Sequence, residues 1–380
     1  MVSLPNSNLL PVERLASGFN NVTNSYKFYW FLAILEHVQN KQSRTISLDD
    51  LLAQMVASVW YPTNYFRLSL GKQDRLGQMA IQLGTQADLP INAKRKEVVN
   101  TLRGFLAQDS EISREIKSFG QYVPYRFLRP FFVQELRGLN DWEVNANIEI
   151  LSQKTFESQT TPCLYRFISK PLRSIEIHPV WFEYLIQNLS ILTGFCLWHL
   201  VNYVQKNNPN VPNIPNKLFE PLQRDLKQAK AFWALVVENA GTLPCIYSGQ
   251  NMQRGDYSLD HFLPWRFVGH DLLWNIIPTP KSINSTKSDN LPDLALYFTP
   301  FAEMQYKAIQ AVATSPKVSL LEDYAMLLKS SSIIQIQNLS FGDFRDTLLA
   351  SIAPQVQIAT NMGFAAQWSY PNGVNVPIFQ

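Results

Sequence analysis

The chain has 380 residues, of which 46% are hydrophobic, 12% aromatic and 17% charged. Charged residues fall below the roughly 25% usual for soluble domains, which excludes a disordered chain and points to large buried faces over more than one domain's worth of sequence. A net charge of +3 with a pI near 8.6 excludes a protein that holds nucleic acid by bulk charge alone, for which a domain pI above about 9 is the usual sign.

Taken from the start, Met1-Val-Ser-Leu-Pro-Asn lacks a basic stretch followed by an apolar run, so no signal peptide is expected. Residues 25–39 are apolar nearly all round, as for a helix packed inside a bundle. Ser47 followed by Leu-Asp-Asp predicts a second helix, with Ser47 as cap and the acids favouring the helix dipole. Residues 94–108 and 221–239 carry similar amphipathic patterns, whereas 122–132, with Pro124 and Pro130, reads as an irregular turning segment. The most hydrophobic stretch, 180–201, contains Glu183, Gln187, Asn188 and His199. These polar groups would cost several kcal/mol in lipid, so a buried core helix is expected and no membrane partner. Pro209, Pro212 and Pro215 forbid a continuous helix or central strand and mark 207–216 as a loop or short linker. Further helices are expected over 302–313, 320–331 and 341–353. Three scattered cysteines, Cys163, Cys196 and Cys245, form no disulfide framework, and a cytoplasmic location is expected.

From about 243 to 300 the composition shifts to glycine, proline, serine and asparagine with short apolar runs. The segment parses as a strand over 257–262, a loop, a strand over 275–278 and a short helix over 280–289, with Thr279 as cap and Pro280 at the first helical position. Asp260 and His261 are neighbours on the first strand, so their side chains point to opposite faces unless the strand end bends, which Pro264 helps to set. Asn284, on the first turns of the helix, reaches back to the Asp260 side. Such a site offers few protein ligands, all oxygen, which suits Mg²⁺ or Mn²⁺ better than zinc.

The residues Asp260-His261, Leu273-Trp-Asn275 and Asn284-Ser-Thr-Lys287-Ser-Asp289 together resemble the ββα-metal, or HNH, nuclease motif. The last stretch is similar to that of the HNH domain in RNA-guided CRISPR nucleases. The resemblance implies that Asp260 and Asn284 hold one metal ion and that His261 is the general base. It further implies that Asn275 orients His261 and that Lys287 contacts a phosphate near the scissile one. Arg254, Arg266 and Lys281 surround the site in sequence and are candidates for contacts to the nucleic-acid backbone. His270-Asp271 repeats the pair in reverse order, with a structural role or a surface substrate contact expected. Many members of this family flank the site with two Cys-x-x-Cys pairs that bind structural zinc. Here only Cys245 remains, followed by Ile-Tyr-Ser248, and Pro280-Lys-Ser-Ile283 replaces the second pair. No structural zinc is expected, with Ile246 and Ile283 packing in its place.

The expected fold is mainly α: helical N- and C-terminal regions flanking a small ββα-metal (HNH) module. The expected domains are a helical domain at 1–239 for substrate positioning, partner binding or sensing, the HNH module at 240–300, and a C-terminal helical region at 301–380 packing on the rest. Tyr125-Arg126-Phe-Leu-Arg129 interleaves aromatics with arginines, as a single-strand-binding surface does and as a core with peripheral arginines also does. The opening residues 9–15 and 23–32 resemble the front of a group of bacterial HNH-containing proteins linked with antiphage defence or restriction. The expected function is a metal-dependent endonuclease acting on DNA, gated by a partner protein, a sensor subunit or oligomerisation. The alternatives are an adaptor subunit of a nucleic-acid-associated complex, catalytically gated or inactive, and an RNA-cleaving nuclease.

Overall fold

The computed structural model describes residues 3–371 apart from 21, 42, 158–160, 170–172 and 222–223. Helices dominate, the strands are few and short, and helical regions flank the ββα segment. The chain is therefore mainly α. The described residues divide into two compact units: Met1–Pro209 with Ile214–Pro221, and Asn210–Asn213 with Leu222–Gln380. The helix Lys227–Ala240 falls in the second unit with the ββα segment and the C-terminal helices, and the two compact units divide near 209–222.

In the first unit the helix Tyr26–Lys41 is central. Its apolar periphery is buried all round, with Trp30, Phe31 and Ile34 at 0% exposure. Each large side chain so buried contributes about 1.5–3 kcal/mol of transfer free energy. It packs against Leu48–Ser58 and Leu189–Asn207. Ser47 precedes Leu48–Ser58 in extended conformation but its side chain makes no capping bond. Instead the Leu48 amide donates to Arg173 O at 3.0 Å.

Three features depart from the periodicity reading. A three-stranded antiparallel sheet orders Thr45–Ser47, Ser174–Ile177 and Tyr165–Ile168, with Ser174–Ile177 in the middle. Strands of three or four residues are too short to show a period of two against helical surroundings. Residues 122–132 are not irregular: Val123–Leu128 is α-helix and Arg129–Phe132 a 3-10 turn. Pro124 and Pro130 each fall in a first turn, where the missing N–H has no intrahelical partner to lose. The apolar stretch at 180–201 forms two helices, Pro179–Gln187 and Leu189–Asn207, bent by 82°. No single described helix is long and apolar enough to cross a membrane, though this bent pair is by length and composition. Trp181, Leu185, Leu192, Cys196 and Leu200 from the pair are buried in the unit.

In the second unit Lys227–Ala240, Leu294–Ala313, Glu322–Leu328 and Phe341–Asn361 share one core with the ββα segment. The helices expected from 302 and 341 run further, through Pro300 and Pro354. An interior proline costs about 3 kcal/mol. Buried residues on both sides, Tyr297 and Phe301 around one proline and Ile352 and Ala359 around the other, offset it. Of the expected helical stretch 221–239, residues 222–223 lie outside the described residues, as do 372–380 of the C-terminal region.

Candidate active site

Strand Tyr257–His261 pairs antiparallel with Ile276–Pro280, setting Asp260 opposite Ile277 and His261 opposite Ile276. Helix Lys281–Lys287 follows at once. Thr279 and Pro280 stay in the strand, so Pro280, with φ −53° and ψ 138°, takes the capping position expected of Thr279. Ser288 ends the helix with φ 47°, a left-handed value that a side chain adopts at some cost. The reversal there accompanies an ion pair of Asp289 with the buried Arg266 at 2.7 Å.

Asp260 and His261 are both 4% exposed, and they face different neighbours. Asp260 Oδ2 accepts from the buried Tyr247 hydroxyl at 3.2 Å. Its Oδ1 pairs with the Lys287 ammonium at 3.1 Å. The same ammonium donates to the His261 carbonyl at 2.6 Å, so one cation ties the carboxylate to the backbone of the next residue. The His261 ring turns to the loop between the strands, where Nε2 lies 2.8 Å from Asp271 Oδ1. A carboxylate only accepts, so Nε2 carries a proton, and in the neutral ring the lone pair is then on Nδ1.

The strand end behind His261 is clamped from the 3-10 turn Leu273–Asn275, which leads into the partner strand Ile276–Pro280. Asn275 Oδ1 accepts from the Leu263 amide at 2.8 Å, and Nδ2 donates to the Leu263 carbonyl at 3.0 Å. The Phe262 amide donates to Asn275 O at 2.8 Å. Asn275 thus places His261 through the backbone and does not touch its ring. The flanking helices hold Asn275 in turn. Gln305 Nε2 donates to the carbonyls of Leu273 and Ile276 at 3.3 and 3.0 Å, and Trp233 Nε1 donates to Ile276 O at 3.1 Å. Asp323 accepts from the Leu273 amide at 2.9 Å, and burial pushes its carboxyl above the ordinary value.

Asn284 points its amide nitrogen back to the first strand, donating to Ser258 Oγ at 2.9 Å and to Leu259 O at 3.4 Å. That leaves its Oδ1 accepting no hydrogen bond among the described residues, on the helix face turned to the strand that carries Asp260. The Asp260 oxygens each accept one bond and each retain acceptor capacity. Two hard oxygen donors on adjoining elements fit a Mg²⁺-like ion that keeps most of its waters. The Lys287 ammonium already balances the Asp260 charge, which lowers the attraction for a second cation.

Residues 245–293 match the family model described as HNH endonuclease. This segment is an HNH endonuclease domain. No curated protein and no solved structure matches the chain. The match supports nuclease activity on a nucleic-acid substrate.

Within this HNH domain the structure brings together Asp260, His261, Asn275 and Lys287, with Asn284 on the facing helix. It places Lys287 differently from the phosphate contact expected of it. The side chain is 0% exposed and its ammonium is occupied by Asp260 and His261 O, because the residue lies in the buried last turn of its helix. Arg266 is likewise buried and paired with Asp289, so it presents no free face to a nucleic-acid backbone. Arg254 is exposed and paired with Glu238, while Lys281 is exposed at the start of the helix. Asp271, for which the sequence suggested a structural role or a surface substrate contact, pairs with the His261 ring, a partnership the sequence did not show. Its pairing with His270 in the sequence was visible, but which of the two faces His261 depends on the loop conformation, which turns at Gly269 with φ 68°. Tyr247 carried no sequence signal beyond its place beside Cys245. Cys245, Ile246 and Ile283 are buried in one core, and burial pushes the Cys245 thiol up. Among the described residues no group of three or more His, Cys, Asp or Glu is arranged to hold a metal ion.

Proposed function

We propose that the chain is a metal-dependent endonuclease that hydrolyses DNA phosphodiester bonds with His261 as general base. The observation that carries this reading is the His261–Asp271 contact at 2.8 Å beside Asp260, in the segment that matches the HNH family. Asp271 holds the imidazole with its Nε2 proton fixed and stabilises the positive ring that forms when Nδ1 takes a proton from the attacking water. Asn275 keeps the backbone of that ring in place. Asp260 and Asn284 would hold a Mg²⁺ or Mn²⁺ ion, which supplies positive charge to the scissile phosphate and the leaving oxygen. Arg254 and Lys281 are the cations exposed for contact with the DNA backbone.

Burial of Asp260 and His261, and the Lys287 ammonium on Asp260, support a site that is closed until substrate or a partner engages it. An immunity module of antiphage defence or restriction in the cytoplasm, in which a sensor subunit or oligomerisation opens the nuclease, is the setting we assign to it. The test is incubation of the full chain with supercoiled plasmid, linear DNA and RNA in Mg²⁺ or Mn²⁺, beside an EDTA control and the Asp260→Ala variant. DNA cutting that needs metal and is lost in the variant is the expected result. Cutting of RNA alone would transfer the chemistry to the other polymer, and equal cutting by the variant would remove Asp260 from the mechanism.

A further inference from the structure

The aromatic and arginine-bearing segment at 122–129 lies in the first unit, outside the residues of the HNH match. Helix Val123–Leu128 buries Tyr125, Phe127 and Leu128 on one side, which leaves Arg126 and Arg129 at its edge. These two arginines and Lys27 line one pocket of about 380 Å³, with Tyr26 and Tyr122 also in its wall. A concavity of that size is in the range that takes small organic ligands.

The pocket carries more positive charge than the ion pairs of the described residues balance. Lys27 is half-buried, with its ammonium donating to Gly18 O at 3.3 Å. Burial holds the ammonium below the ordinary lysine value, and the charges of Arg129 and Arg126 push it further down. Three cations are therefore close enough to repel. The carboxylate at hand is Asp141, which pairs with Arg126 at 3.0 Å and is itself 88% exposed. Among the described residues neither Lys27 nor Arg129 forms an ion pair. Clustered, partly desolvated cations gain most from an anion with several acceptor oxygens, because charge-assisted bonds to such a group are roughly twice as strong as neutral ones. Beside them Tyr122 is 57% exposed, an uncovered aromatic face of the kind on which bases stack. Tyr26 is held as a fixed wall, its hydroxyl accepting from the Arg75 amide at 2.9 Å and its ring edge-on to Phe119.

We propose that this pocket binds the phosphate group of a nucleotide, with Lys27, Arg126 and Arg129 on the phosphate and the base against Tyr122. The ligand is either a free mononucleotide or one nucleotide of a single strand, which share this chemistry. The site is separate from the HNH domain in sequence and stands whether or not that domain cuts.

The experiment titrates the full-length chain in EDTA with adenosine monophosphate, inorganic phosphate and a short fluorescein-labelled oligothymidylate, by calorimetry and anisotropy. Wild type is compared with Arg129→Ala, Lys27→Met and Tyr122→Ala, each checked for fold by circular dichroism. Loss of one charge-assisted contact is expected to weaken binding about tenfold in Arg129→Ala. The slope of log affinity against log salt for the oligonucleotide should become shallower by about one unit or slightly less. Adenosine monophosphate that binds and displaces the oligonucleotide assigns the pocket to a free nucleotide. Oligonucleotide binding that is lost in the variants but not displaced assigns it to a strand. Binding by none of the three probes, or binding equal in wild type and a folded Arg129→Ala, overturns the proposal. Equal affinity for phosphate and adenosine monophosphate, unmoved by Tyr122→Ala, overturns its nucleotide part. Should Lys27→Met not fold, the exposed Arg129 decides alone.

Discussion

Asp271 decides which nitrogen of His261 is available, since its carboxylate fixes the proton on Nε2 at 2.8 Å. Asp271→Asn presents a donor or a neutral acceptor in its place and no longer selects the tautomer or stabilises the charged ring. We expect kcat to fall by about 10²-fold or more with KM little changed, which single-turnover cleavage by the variant would read. A fall in KM-limited binding with kcat intact would instead make Asp271 a substrate contact. Lys287 is a second residue whose role changes on seeing its surroundings. Removing one partner of a buried ion pair costs about 3–5 kcal/mol because the other charge is left unpaired. Lys287→Met should therefore lower the thermal midpoint strongly, and adding Asp260→Asn should restore much of it. Equal midpoints for the single and double variants would show that the 3.1 Å contact does not stabilise the fold.

The ββα element was legible because its residues are ordered by chemistry: Asp260-His261 lie at the strand end and Asn284 on the helix, while Asn275 closes the 3-10 turn just before the partner strand Ile276–Pro280 and not within a strand over 275–278. The boundaries were less so, since Thr279 and Pro280 carry both a capping pattern and a strand's place. The turn after Cys245 also has a chemical consequence. With one buried thiol and Ile283 where a second pair would stand, elemental analysis of the purified chain should find no stoichiometric zinc. Elsewhere, the sheet joining Thr45–Ser47 to Ser174–Ile177 was hidden because it pairs three-residue stretches far apart in sequence. The helix Pro179–Gln187, which follows that sheet, is capped by His178, whose ring nitrogen accepts from the Val180 amide at 3.3 Å. Burial, and then the charge of Arg44, hold the His178 pKa below 6.5. The unfolded chain thus binds more protons than the folded one just below pH 6.5, so stability rises with pH through that window and falls as acid protonates the cap. Thermal midpoints from pH 5 to 8 should drop on the acid side in wild type and less in His178→Asn, which caps without titrating. Identical profiles would remove His178 from the acid response.

At the scale of the molecule, helices from the second unit do more than surround the HNH domain. Gln305, Trp233 and Asp323 satisfy the backbone of 273–276, the stretch that sets Asn275 and follows Asp271. That support was not legible from sequence, because Gln305 and Asp323 sit in ordinary amphipathic patterns and their value lies in which backbone groups they meet. It also explains why the second unit collects Lys227–Ala240 with the C-terminal helices into one core. The net charge of +3 leaves bulk attraction for a nucleic acid weak, so the proposed cleavage would depend on the local site. The most direct measurement of that dependence is metal-dependent plasmid cleavage by wild type and His261→Ala at equal DNA binding, with native partners supplied. Cutting by wild type that falls to the metal-only background in the variant is the expected result. Undiminished cutting by folded His261→Ala, or none by wild type on any DNA, would contradict the assignment of His261 as the base.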